Sequence, residues 1–122
     1  MEIIIKVLIG LIAILHCYFL WLEMFGWTTV APKVFTNFQP QFFKDSKSLA
    51  ANQGLYNGFL AAGLLWSLLI SNTEWQHNVS LFFLICVAIA GIYGAATASK
   101  KIFFIQALPA IIAIALLFFS GK

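Results

Sequence analysis

Hydrophobic positions along this chain gather into four runs, 3–24, 49–70, 79–98 and 102–119, separated by short polar stretches. Each run is close to the roughly 20 residues that an α-helix needs to cross about 30 Å of hydrocarbon. The pattern therefore predicts four membrane-spanning helices. Between the first two lies a different kind of segment, 28–48, where Pro32 and Pro40 break helical continuity. It mixes Phe35, Phe38, Phe42 and Phe43 with lysines, which is too apolar for a freely solvated linker. We expect it to lie at the headgroup level or to fold over a cavity as a lid. Asp45, Ser46 or Ser48 would cap the helix that follows, each offering an oxygen to exposed backbone donors.

Composition agrees with this reading. Of 122 residues, 62% are hydrophobic and only 9% charged, with a mean hydropathy of +0.97. Soluble domains normally carry roughly a quarter charged residues. The four runs take up most of the sequence, so the expected architecture is an all-α integral membrane four-helix bundle forming a single transmembrane domain over 1–122. The first run is expected to be retained rather than removed as a secretory signal. It is too long, and it ends in the aromatic stretch Phe25-Gly26-Trp27 instead of a small-residue cleavage site.

Charge adds orientation. Four spans leave Lys6 and Lys122 on one side and Lys33, Lys44, Lys47, Lys100 and Lys101 on the other. By the positive-inside rule the lysine-rich side is cytoplasmic, and both termini are expected on the non-cytoplasmic side. The net charge of +3 then reflects topology. Scattered lysines form no basic patch of the kind that grips nucleic acid, so no nucleic-acid partner is expected. Cys17 and Cys86 fall inside predicted spans at different depths, which suits packing thiols better than a disulfide. His16 beside Cys17 has no compatible ligand spacing, and neither a metal nor another cofactor is expected.

Glu23 is the residue that calls for explanation. An ionisable side chain near the end of an apolar run is kept where something satisfies or uses it. Chain direction brings it to the cytoplasmic half together with Asn52, Gln53, Tyr56, Asn57, Tyr93, Thr97 and Gln106, a polar set drawn from all four helices. His16, Glu23 and Trp27 are spaced to share one stripe of the first helix. Asn52 and Tyr56, and likewise Gln53 and Asn57, form two adjoining stripes on the second. Gly54, Gly58 and Ala62, and then Ala90, Gly94 and Ala98, repeat every four residues and predict smooth faces for close helix approach. Pro109 should free a carbonyl and bend the last helix beside Gln106. Each polar residue has a plain structural alternative: Glu23 reaching water or pairing with Lys33 or Lys100, the amides bonding between helices.

The stretches 16–29, 52–63, 90–97 and 106–110, with their polar and glycine positions, resemble a family of small bacterial membrane proteins, domain-of-unknown-function family number 1304. The resemblance covers nearly the whole chain. It implies a bacterial four-span membrane protein and supplies no established reaction or ligand, and the localisation expected is the bacterial cytoplasmic membrane, crossed several times.

Three functions fit these residues. The favoured one is a cytoplasm-facing intramembrane pocket that binds a small amphipathic or lipid-like molecule, with acid or base chemistry by Glu23 and His16 as one form of it. Its walls would be Trp27, Asn52, Gln53, Tyr56, Asn57, Tyr93, Thr97 and Gln106. The second is a small proton-coupled transporter acting as a homodimer, although there is no internal inverted repeat and the polar groups stop halfway across. The third is a structural or accessory subunit whose polar groups only hold helices together. Membrane lipid is the partner common to all three.

Overall fold

The computed structural model describes residues 1–120, and among these the chain is helical with no strand. Helix α1 (Ile3–Met24) is followed by two short helices, α2 (Ala31–Val34) and α3 (Pro40–Asp45). Two long helices come next, α4 (Lys47–Leu69) and α5 (Thr73–Thr97), and a π-helical turn (Phe103–Ala107) runs into α6 (Leu108–Ser120). Three stretches, Ile3–Met24, Thr73–Thr97 and Phe103–Ser120, are long and apolar enough to cross a membrane. Helix α4 is equally long, but Asn52, Gln53 and Asn57 dilute its apolar character and it is not among them.

Local sequence explains the boundaries. Helix α5 starts earlier than its apolar run because Asn72 caps it, its Oδ1 accepting from the Trp75 amide at 3.0 Å. The stretch expected as a polar loop is thus mostly helix. Pro32 and Pro40 each sit in the first turn of a short helix, where a missing amide costs nothing. Pro109 acts on the helix before it. Its ring would meet the carbonyl four residues back in a regular α-helix, and the backbone instead widens so that the Leu108 amide bonds to Phe103 O.

The chain forms two compact units, one comprising 1–13 and 62–122, the other 14–61. In the first, α5 packs on the π turn and α6. Its buried residues follow helical spacing: Ile5, Ile9 and Ile12; Leu84, Val87 and Gly91; Ala110, Ala113 and Leu117. Gly91 makes the closest approach to another backbone, since a Cβ there would run into Ala107 N. Gly94 stands against Ile102, whereas Ala90 and Ala98 are exposed, so the expected four-residue stripe is displaced by one position. Gln76 is buried and donates to Ser67 O at 3.2 Å, and Ser67 Oγ donates to Leu64 O.

The second unit holds the α2–α3 segment and the flanking parts of α1 and α4. Leu22, Ala31 and Phe43 form a small core, with Trp27 and Val30 packed on it. Two of the three capping residues expected for α4 are engaged elsewhere, and Ser48 lies inside the helix. Asp45 accepts from Gln41 Nε2, while Ser46 Oγ donates to Phe42 O and accepts from Trp27 Nε1. Cys17 is exposed and Cys86 half-buried, so neither is the fully buried packing thiol expected from its place in an apolar run.

Candidate functional site

Within the second unit the contact between α1 and α4 is set by glycine. A Cβ on Gly54 would lie 2.8 Å from Met24 Cγ, 3.0 Å from Glu23 Cβ and 3.1 Å from Leu20 O. One turn on, Gly58 stands against the Leu20 side chain. Side chains that bulky would hold the helices apart; without them the backbone of α4 comes close enough for a polar bridge. Asn57 Nδ2 donates to Glu23 Oε1 at 2.6 Å, and both residues are half-buried. This carboxylate–amide pair is the centre of the candidate site. A hydrogen bond to a charged acceptor that is partly withdrawn from water is among the stronger kinds, contributing about 1.5–3 kcal/mol.

His16 is fully buried two turns before Glu23, about 10 Å along the helix axis, and meets the Phe19 ring edge-on at 5.3 Å. Trp27 does not continue their stripe. Helix α1 ends at Met24, so Trp27 lies in the following turn, where its Nε1 donates to Ser46 Oγ at 3.0 Å. Of the two polar stripes expected on α4, only Asn57 turns to α1. Asn52, Gln53 and Tyr56 are exposed, Tyr56 by 62%.

Tyr93, Thr97 and Gln106 belong to the other unit. Tyr93 is 70% exposed, and Thr97 Oγ1 donates back to Tyr93 O at 2.7 Å, a local bond within α5. Gln106 is buried in the π turn. That unit also contains a cavity of about 460 Å³, lined by Met1, Glu74, His77 and Asn78 among others, and none of the expected site residues lines it. Among the described residues no group of three or more His, Cys, Asp and Glu is arranged to hold a metal ion.

Two features escaped the sequence reading. The Trp27–Ser46 bond joins residues 19 apart across two prolines, and nothing in helical periodicity signals it. Gly91 lies outside the Ala90–Gly94–Ala98 series, although it is the glycine whose added Cβ would meet backbone before any side chain.

Comparison with known proteins gives the chain relatives but no reaction. The uncharacterized protein YpaA of Lactococcus lactis subsp. lactis (strain IL1403) is 31% identical over 121 residues, covering 98% of this chain and 100% of that protein. No solved structure matches. The profile of the family described as "Protein of unknown function (DUF1304)" matches residues 10–118, nine-tenths of the sequence, and the chain belongs to that family.

Proposed function

We propose that this protein is a multi-pass component of the bacterial cytoplasmic membrane that binds a small amphipathic molecule at the Glu23–Asn57 pair. The observation that carries the reading is the 2.6 Å bond from Asn57 Nδ2 to Glu23 Oε1 at a glycine-lined helix contact. Asn57 engages one carboxylate oxygen and leaves Oε2 as the acceptor that a ligand's hydroxyl or ammonium head would meet. The largely apolar exposed surface of α1 suits an acyl or isoprenoid tail. Exposed Asn52, Gln53 and Tyr56 on the same helix end would widen the choice of head groups. In this reading His16 supports the helix contact from deeper in the unit, and acid or base chemistry rests on Glu23 alone.

Mass spectrometry of molecules co-purified with the full chain tests the proposal. Wild type should retain an amphipathic species in near-stoichiometric amount, and Glu23→Gln should lose most of it while staying folded. Identical retention by both, with only a lower melting temperature for the variant, assigns the pair to helix packing instead.

A further inference from the structure

The segment joining α1 to α4 is folded on its own terms. Phe43 is 1% exposed and Ala31 is fully buried, and the Trp27 ring meets Phe43 edge-on at 5.3 Å. Phe38 stacks on Phe42 at 4.4 Å. A relay of hydrogen bonds ties the turn together, from Trp27 Nε1 to Ser46 Oγ at 3.0 Å and from Ser46 Oγ to Phe42 O at 2.6 Å. Such a segment presents a defined face.

That face combines two chemistries. Phe35, Phe38 and Phe42 remain 37–45% exposed, an apolar patch that water does not favour. Lys33, Lys44 and Lys47 of the same segment are exposed as well, and the segment's acidic residue, Asp45, accepts a bond from Gln41. The balance is cationic. The segment also begins directly after Met24, where a helix long and apolar enough to cross a membrane ends. If α1 spans the bilayer, as the proposed function holds, this aromatic and basic face stands at the level of the lipid headgroups.

We propose that residues 28–48 form a foot that binds acidic phospholipids, the phenylalanines entering the outermost acyl region and the three lysines holding headgroup phosphates. Aromatic rings are at home at the boundary of hydrocarbon and water. Lysines near an anionic surface are attracted by about 1 kcal/mol each, which is roughly a fivefold preference per lysine. A water-filled surround would leave the rings unfavourably wet, and a neutral bilayer would offer the lysines no net negative surface.

The experiment uses the full chain in phosphatidylcholine vesicles containing trace spin-labelled phosphatidylglycerol or phosphatidylcholine, and reads the fraction of each held at the protein. Wild type should favour the acidic lipid by at least about fivefold in low salt, and the preference should collapse near 1 M salt, where the screening length falls to about 3 Å. The K33Q/K44Q/K47Q variant should lose it, the matching K33R/K44R/K47R variant should keep it, and K100Q/K101Q should leave it largely intact. No preference in wild type, or equal loss in the K100Q/K101Q variant, overturns the foot. A chain that does not float with the vesicles at all overturns the membrane reading on which the foot rests, an outcome visible before any lipid preference is measured.

Discussion

Glycine stands at several helix contacts in this protein, and two of them differ in what the glycine admits. At Gly91 the space is taken by the backbone of Ala107, so the backbones of α5 and the π turn themselves come together. At Gly54 and Gly58 the space lies against the side chains of Met24 and Leu20, and beside it a carboxylate and an amide meet at 2.6 Å. The first contact is closed packing. The second is a half-buried polar pair. Small residues on an apolar helix thus bring helices together in both cases, but only one of the two arrangements leaves chemistry behind.

Substitutions should separate the two. The largest effect is expected for Gly91→Ala, because the added methyl meets the Ala107 backbone, which cannot rotate away. A loss of about 3 kcal/mol, at the upper end for overpacking, should appear as a marked drop in the detergent melting temperature. Asn57→Ala should cost less, about 2 kcal/mol, since it strands the Glu23 carboxylate without its donor. Combining it with Glu23→Gln should recover part of that loss, a coupling that a double-mutant cycle reads directly. Gly54→Ala should be the mildest. Met24 can shift, and Glu23 Cβ and Leu20 O, at 3.0 and 3.1 Å, need give by only a few tenths of an ångström; the better helix propensity of alanine offsets up to about 1 kcal/mol of that, so the net cost should stay below that of Asn57→Ala. A Gly54→Ala cost equal to that of Gly91→Ala would erase the distinction.

How much of this was legible in the sequence follows from what periodicity encodes. Long apolar runs announce helices, and the all-helical fold was readable from them. Helix ends were less so, because they depend on single residues such as Asn72 and Pro109, whose effects reach several positions along the chain. The π turn was invisible, since a 3.6-residue pattern has no place for a widened one. Small-residue stripes were read in the right helices but in the wrong register at Ala62, Ala90 and Ala98, all of them exposed. Glu23 stood out as an ionisable group in an apolar run. Its partner did not, because four polar residues on α4 were equivalent in sequence, and only the approach permitted by Gly54 and Gly58 selects Asn57. Helix α4 is less like the other long helices than its length suggests, for Asn52, Gln53 and Asn57 weaken its claim as a span.

Chemical labelling of the carboxylates tests the central claim most directly. Glu2, Asp45 and Glu74 are exposed, whereas Glu23 is half-buried on a membrane-length apolar helix. Membranes containing the full chain, treated with the apolar reagent dicyclohexylcarbodiimide and mapped by mass spectrometry, should carry the adduct chiefly at Glu23. A water-soluble carbodiimide should instead mark the other three. Labelling of Glu23 by the water-soluble reagent to the same extent as Glu2 and Glu74, with none from the apolar one, would contradict an intramembrane site reached from the lipid phase.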